Sequence, residues 1–300
     1  MSERLHDDEP DLGLGVVRGL LADQCPGLAD LPLTVLSNTG TDNVLYRLGP
    51  SLVVRLPRKA TAAQSLAAEI DWLPRLCAGL SVAVPELVVV GRPAAGYPYP
   101  WTVLAWLDGT DGWTARDRTG WFGAALGTDL ATTVRELRAL PTEHAARREP
   151  GSRGGPLAAL DERVRWWLGQ ATGLFDVAAV TRVWEQCLEA ALDARDPVLL
   201  HGDLIPGNLL LQHGRLSAVI DWGGIGAGDA AQDLDPAWSV LDPSGAAAFR
   251  EALEVDESSW LRARGFVLEH AIGGIVYYTP RRHPLADVMR RSLDRLLAEA

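Results

Sequence analysis

Residues 199–229 read LLHGDLIPGNLLLQHGRLSAVIDWGGIGAGD, and this stretch decides the prediction of the fold. An apolar run leads into the turn His201-Gly202-Asp203, and Asn208 follows five residues after the aspartate. Apolar segments on either side of His213-Gly214 predict two strands joined by a hairpin turn. The second strand ends at Asp221, so carboxylates and an amide lie at the ends of short strands.

The hairpin is expected to bring Asp203, Asn208 and Asp221 together at one edge. Carboxylate and amide oxygens are hard ligands that suit magnesium bound together with phosphates. Phosphoryl transfer needs such an arrangement, because metals neutralise the phosphates and a carboxylate accepts or orients the proton of the acceptor hydroxyl. The two aspartates alone could be ordinary turn and strand-end carboxylates. That interpretation leaves the amide five residues after Asp203 unexplained.

Length and composition predict an ordinary folded protein. With 300 residues, of which 47% are hydrophobic and 22% charged, the chain is long enough for one large domain or two modest ones. No apolar run approaches the roughly 20 residues of a membrane span, and the acidic start is unlike a secretory leader. Three widely spaced cysteines predict reduced thiols and a cytoplasmic location: Cys25, Cys77 and Cys187.

The charge balance limits the partners. A net charge of −11 argues against nucleic acid and anionic membranes. It is compatible with a cationic ligand, and equally with a merely acidic, soluble surface. Lys59 is the only lysine, so a function that needs a lysine falls to it or to an arginine.

Hydrophobic periodicity predicts strands early in the chain and helices later. The predicted strands are Leu33–Leu36, Val44–Leu48, Leu52–Leu56, Glu86–Val90 and Trp101–Trp106, with a helix over Ala62–Leu76 after the third. Beyond residue 106 the predicted helices are Trp121–Leu140, Leu157–Gly169, Ala178–Arg195, Ala246–Leu253, Ser259–Tyr277 and Leu285–Ala298. The glycine-rich segment Arg147–Pro156 is predicted to be a loop.

The motifs HGDLIPGN (201–208) and DWG (221–223) resemble the catalytic core of the protein-kinase-like superfamily. They are most similar to its aminoglycoside phosphotransferase branch, which includes macrolide-phosphotransferase-like members. The resemblance implies that Asp203 is the catalytic base and that Asn208 and Asp221 bind Mg²⁺.

The same resemblance assigns supporting residues. It implies that His201 and Asp233 support the catalytic loop, and it offers Asp235 and Glu269 as carboxylates for amines of the acceptor. Gly202 stands where protein kinases usually carry arginine, and no Ala-Pro-Glu segment follows, which favours a small-molecule kinase over a protein kinase.

The first part of the chain is similar to a nucleotide-binding lobe. The polar segment Ser37–Asn43 occupies the place of a phosphate-covering loop, with Thr39 and Gly40 as its nucleotide-contacting residues, although a plain β-turn fits this segment equally well. The resemblance also implies a hinge at Leu104 and Trp106 whose backbone would bind the edge of a nucleotide base.

A cation for the phosphates is expected at the end of the third strand. Arg55 stands where the family places a lysine, and Glu69 on the following helix would be its ion-pair partner. Lys59, four residues further on, is the alternative phosphate ligand. We favour Arg55, because it ends the strand at the lysine position.

Together these patterns predict an α+β, bilobal, protein-kinase-like fold. Residues 1–106 would form a nucleotide-binding lobe with an N-terminal helix, a five-stranded antiparallel sheet and one further helix. Residues 107–300 would form a mainly helical lobe with the catalytic loop and the acceptor site. The predicted reaction moves the γ-phosphoryl group of ATP or GTP to a hydroxyl of a small molecule, with an aminoglycoside as the first candidate. A macrolide, a sugar or another metabolite is the alternative acceptor, and a nucleotide-binding pseudokinase is the alternative class. The oligomeric state stays open.

Overall fold

The computed structural model describes residues 9–36, 42–193, 195–283 and 285–299. The chain divides into two compact units, formed by 1–108 with 218–224 and by 109–217 with 225–300. The predicted boundary at residue 106 therefore lies two residues from the observed one. The sequence did not show that 218–224, the segment that carries Asp221, joins the first unit.

The first unit is an antiparallel sheet with helices. Its elements are α1 (Leu14–Gln24), β1 (Leu33–Val35), β2 (Asn43–Leu48), β3 (Leu52–Pro57), α2 (Ala60–Gly79), β4 (Leu87–Gly91) and β5 (Trp101–Ala105). The strand order is β1-β2-β3-β5-β4, and every neighbouring pair is antiparallel. The five strands and the helix after the third strand confirm the predicted fold of this part.

Alternation along the strands builds the core of the first unit. In β2, Val44, Tyr46 and Leu48 point inward and are almost completely buried, as the period of two requires. They belong to the same apolar cluster as Val17 and Leu20 of α1, which are spaced to lie on one helix face.

Helix α2 buries one carboxylate among apolar residues. Leu66, Glu69 and Leu73 lie on the inward face, because residues three and four apart share a face. The side chain of Glu69 is completely buried, so its charge requires a partner inside the unit.

The second unit is mainly helical. Its helices are α3 (Gly112–Thr119), α4 (Ala124–Arg138), α5 (Asp161–Gln170), α6 (Val177–Ala190), α7 (Pro236–Ser239), α8 (Pro243–Ala252), α9 (Glu257–Tyr278) and α10 (Leu285–Ala298). Its short strands are β6 (Thr110–Asp111), β7 (Val198–Leu200), β8 (Leu209–Gln212), β9 (Arg215–Val219) and β10 (Gly226–Gly228), of which β9 runs on into the first unit.

Two helix predictions need correction. Helix α3 was not predicted, because its sequence GWTARDRT has no regular apolar face. The helix predicted over 178–195 ends at Ala190, where the chain continues into a 3₁₀ turn. The predicted hairpin of β8 and β9 is confirmed, and His213 and Gly214 both adopt the positive φ (52° and 76°) typical of tight hairpin turns.

No helix within the described parts of the chain is long and apolar enough to cross a membrane.

Candidate active site

A buried carboxylate binds the backbone of the loop that follows β7. Asp233 is almost completely buried and accepts the N–H of His201 at 2.7 Å and that of Gly202 at 2.8 Å. Bonds from backbone N–H groups to a carboxylate are charge-assisted and therefore strong. Gly202 has a φ of 80°, which glycine adopts without strain. This is where the structure places the predicted supporting residues.

His201 fixes the start of the same turn. Its ring is completely buried, and Nδ1 accepts the N–H of Asp203 at 3.2 Å. An imidazole that accepts at Nδ1 carries its proton on Nε2. The histidine thus acts on the backbone of the turn.

Asp203 and Asn208 meet in the second unit. The Asn208 amide nitrogen donates to Asp203 Oδ2 at 3.0 Å and to the Asp203 carbonyl at 2.8 Å. With its nitrogen turned to Asp203, the planar amide directs its oxygen the other way. The other carboxylate oxygen, Asp203 Oδ1, forms an ion pair with Arg153.

A buried arginine organises the predicted nucleotide residues of the first unit. Arg55 pairs with Glu69 through Nη1 and with Asp221 through Nη2, the latter at 2.6 Å. The Asn43 amide oxygen, oriented by the hydrogen-bond network, accepts from Arg55 Nη2 at 2.9 Å and from Nε at 3.2 Å. Lys59 instead pairs with Asp42.

Burial and charge act against each other in this cluster. Burial by itself would lower the pKa of Arg55, but Glu69 and Asp221 raise it above its ordinary value. Burial raises the pKa of Glu69, while the Arg55 guanidinium opposes that rise. The Trp222 N–H adds a hydrogen bond to Glu69 at 3.3 Å. The guanidinium is therefore permanently charged and held in position.

Asp221 adopts an unusual backbone conformation. Its φ is 62°, in the left-handed region, which a non-glycine residue enters at a cost of about 1–3 kcal/mol. Aspartate tolerates this region better than most residues. The conformation accompanies the contact with Arg55, and 46% of the Asp221 side chain stays exposed. The structure thus places Asp221 with Arg55, and its predicted meeting with Asp203 and Asn208 stays a prediction.

Two backbone N–H groups of the predicted hinge segment donate to backbone carbonyls. Leu104 lies in β5, the Ala105 N–H donates to Glu86 at 2.9 Å, and the Trp106 N–H donates to Ser51 at 2.8 Å. A base edge would therefore need other groups of this segment. The predicted phosphate-contacting residues, Thr39 and Gly40, lie outside the described residues.

The carboxylates expected to bind acceptor amines already have partners. The Asp235 carboxylate accepts the Ser239 hydroxyl, and burial raises the pKa of Asp235 to about 6. Glu269 pairs with Arg163 at 2.8 Å, and burial raises its pKa.

His270, the neighbour of Glu269 on α9, contacts Arg153. Its Nε2 lies 2.9 Å from Arg153 Nη2. Burial first, and the nearby Arg153 charge second, lower the pKa of His270 well below its ordinary value. The ring is therefore neutral at physiological pH and can accept from the guanidinium.

Several of these groups line a cavity in the second unit. It is small and has both polar and apolar walls. The lining residues include Trp113, Ile205, Asp235, Val267, His270 and Met289.

Comparison with known proteins identifies the family. The sequence profile of the phosphotransferase enzyme family (APH) matches residues 34–266, which is most of the chain. The chain belongs to this family. It is 33% identical to an aminoglycoside 3'-phosphotransferase of Escherichia coli over 136 residues, a match that spans 40% of this chain and 46% of that relative's length.

Solved structures of phosphotransferases share the fold. The GDP complex of aminoglycoside 2'-phosphotransferase-IIIa superposes with a TM-score of 0.68 at 18% identity, covering 94% of this chain and 96% of that one. The macrolide 2'-phosphotransferase MphH of Brachybacterium faecium, solved as the apoenzyme, gives 0.62 at 20% identity, covering 93% and 97%. At these identities the likeness establishes the phosphotransferase fold and leaves the substrate open.

Two residues of this phosphotransferase family member were missed by sequence reasoning. Asn43 begins β2, and its hydrogen bonds to Arg55 have no local sequence signal. Arg153 lies in the glycine-rich loop 147–156, whose composition is typical of a solvent-exposed connection. Its contact with Asp203 is visible only in the structure.

Proposed function

We propose that this protein transfers the γ-phosphoryl group of ATP or GTP to a hydroxyl group of a small molecule, with Asp203 as the general base. One observation carries the proposal: Asp203 lies in a turn whose backbone is held by Asp233 and whose carboxylate is held by Asn208. A base must be positioned before it can take a proton in the transition state. Membership in the phosphotransferase family supports the same assignment.

The proposed transfer exchanges one phosphorus–oxygen bond for another. The acceptor hydroxyl gives its proton to the Asp203 carboxylate while its oxygen bonds to the γ-phosphorus. The bond between that phosphorus and the oxygen bridging it to the β-phosphate breaks. The products are the phosphorylated acceptor and a nucleoside diphosphate.

Arg55 is the proposed phosphate ligand. Its guanidinium is always charged and offers several N–H groups in one plane, which suits phosphate oxygens. Glu69 and Asn43 hold it in place. Lys59, which pairs with Asp42 at 2.7 Å, has no contact with this cluster among those of the described residues.

Asn208 and Asp221 are the proposed Mg²⁺ ligands. Their chemistry fits a hard cation, because one offers an amide oxygen directed away from Asp203 and the other a carboxylate with a 46% exposed side chain. When bound, Mg²⁺ would neutralise the charge of the nucleotide phosphates. Among solved relatives, complexes with GDP and ADP support nucleotide binding by this fold.

The names of the relatives make hydroxylated antibiotics the first acceptors to test. An aminoglycoside and a macrolide represent the two classes that those names contain. A sugar or another metabolite stays the alternative acceptor.

A turnover assay tests the proposal. Nucleoside diphosphate release is coupled to a reporter reaction with ATP and with GTP, and mass spectrometry checks each acceptor for one added phosphoryl group. Asp203→Asn should lower kcat by roughly 10²- to 10⁴-fold, while Asp294→Asn, a change at an exposed aspartate of α10, should leave it unchanged. Near-normal turnover in Asp203→Asn would contradict the assignment. Nucleotide binding without transfer to any acceptor would favour the pseudokinase.

A further inference from the structure

The catalytic carboxylate is covered by a cation from its own chain. Arg153 Nη1 pairs with Asp203 Oδ1, and Arg153 Nη2 lies 2.9 Å from His270 Nε2. The Arg153 side chain is 44% exposed, so a ligand can reach it from solvent. Asn208 donates to Asp203 Oδ2, and the other carboxylate oxygen, Oδ1, pairs with Arg153.

The loop that carries Arg153 is anchored on both sides. The Gly154 carbonyl accepts the N–H of Asp229 at 2.8 Å, and the Gly151 carbonyl accepts from Arg163 at 2.8 Å. Gly154 has a φ of 76°, and a Cβ there would lie 2.7 Å from Leu200, so glycine is required. These contacts fix the backbone on both sides of Arg153, from which its side chain reaches Asp203.

The charges around Arg153 do not suit a polyamine. Asp233 binds two backbone N–H groups, Asp235 accepts from Ser239, and Glu269 pairs with Arg163. Each of these carboxylates already accepts at least one hydrogen bond within the protein, and the charge of Glu269 is balanced by Arg163. An incoming ammonium group would also be repelled by the Arg153 guanidinium.

An acceptor hydroxyl has to reach the oxygen that Arg153 holds. The Arg153 guanidinium must then turn to another acceptor of hydrogen bonds. A carboxylate or phosphate on the substrate is the partner that a guanidinium binds best, through two parallel N–H bonds. His270, neutral because its pKa is lowered, can keep the other side of the guanidinium in place during the exchange.

We propose that Arg153 is a specificity-determining residue that selects acceptors carrying an oxyanion, a carboxylate or a phosphate, close to the hydroxyl that is phosphorylated. This inference rests on the proposed phosphoryl transfer to a small molecule. It assigns to Arg153 two alternating partners: Asp203 in the free protein and the substrate oxyanion in the complex.

The test uses one sugar skeleton in four charge forms: glucuronate, glucose 6-phosphate, glucose and glucosamine, with kanamycin as a polycation. Binding of each is measured by calorimetry, and transfer is measured by diphosphate release and product mass. The variants are Arg153→Ala and Arg153→Lys. Arg165→Ala is the control, because Arg165 is also an exposed arginine of the second unit in an ion pair, with Asp161 at 2.9 Å.

We expect the wild type to bind glucuronate or glucose 6-phosphate more tightly than glucose, and glucosamine and kanamycin most weakly. The difference between the two anions tells carboxylate from phosphate. Arg153→Ala should weaken binding of the preferred anion roughly 10- to 100-fold, the range of a hydrogen bond to a charged group. Arg153→Lys should restore part of it, and Arg165→Ala should change nothing.

Three results would overturn the inference: absence of anion binding, anion binding that Arg153→Ala leaves unchanged, or tighter binding of kanamycin than of the anions. Tighter binding of kanamycin would mean that Arg153 occupies the position that an ammonium group of the substrate takes in the complex. Failure of the proposed function has a different signature. In that case no compound gains a phosphoryl group, but calorimetry still shows whether anion binding depends on Arg153.

Discussion

The guanidinium of Arg55 lies 2.6 Å from the carboxylate of Asp221, a residue 166 positions further along the chain. The contact joins the end of β3 to the segment that follows β9, within the first unit. One oxygen of the proposed metal ligand is thus engaged by the proposed phosphate ligand. Nucleotide and Mg²⁺ would have to share or replace this ion pair.

Asp221→Asn should weaken nucleotide binding in the presence of Mg²⁺. The amide keeps a hydrogen-bond acceptor for Arg55 but loses the negative charge that a divalent cation needs. We expect a loss of roughly tenfold or more with Mg²⁺ and little change after the metal is removed by a chelator, both measured by calorimetry. Equal losses under the two conditions would show that Asp221 is only structural.

Arg55→Ala should destabilise the protein strongly. It leaves the completely buried Glu69 without its cation, and breaking a buried ion pair costs about 3–5 kcal/mol. The free energy of unfolding is measured by denaturant titration. Lys59→Ala is the matched control, because its pair with Asp42 is exposed and should matter by less than about 1 kcal/mol.

The same two variants separate the candidate phosphate ligands. Under conditions where both are folded, Arg55→Ala should raise the KM for the nucleotide more than Lys59→Ala does, because Arg55 belongs to the cluster with Asp221. The opposite ranking would assign the phosphates to Lys59.

Asp233→Asn should lower kcat through the position of the catalytic turn. Each oxygen of the Asp233 carboxylate accepts one backbone N–H, from His201 and from Gly202. The asparagine side chain would have only one oxygen to accept them. One buried N–H would lose its partner, which costs about 1–3 kcal/mol in stability. We expect kcat to fall while the affinity for nucleotide is retained. Unchanged kcat in a correctly folded variant would remove Asp233 from its supporting role.

Asp235→Asn should stabilise the protein, and more so at higher pH. Burial raises the pKa of Asp235 from 3.8 to about 6 in the folded state, so the folded protein binds this proton more tightly than the unfolded chain. Stability therefore falls as the pH rises from about 4 to 6 and levels off above that. At about 1.4 kcal/mol per pKa unit, the full effect is on the order of 3 kcal/mol.

Thermal unfolding of Asp235→Asn and wild type at pH 4 and pH 8 measures this difference. The gain in Tm should be larger at pH 8, whereas Asp294→Asn, at an exposed position, should show no such trend. A gain that is the same at both pH values would mean that Asp235 is not protonated by burial.

Local sequence patterns predicted much of the fold and of the candidate site. Alternating apolar residues gave the five strands, and the turn chemistry of His213-Gly214 gave the hairpin of β8 and β9. The helical period gave the helix after the third strand, on which Glu69 lies. These features depend on neighbours a few residues apart, so a single sequence contains their signal.

Contacts between distant segments were decided only by the tertiary structure. Nothing local to the glycine-rich loop shows that Arg153 meets Asp203, 50 residues away, or that its other side faces His270. The carboxylates Asp235 and Glu269 looked available for substrate, and packing gave them Ser239 and Arg163 instead. The sequence alone does not show whether a charged side chain is solvated or forms an ion pair. Only the folding of the chain determines its partner, because the energy of the pair depends on burial and distance, which the sequence does not state.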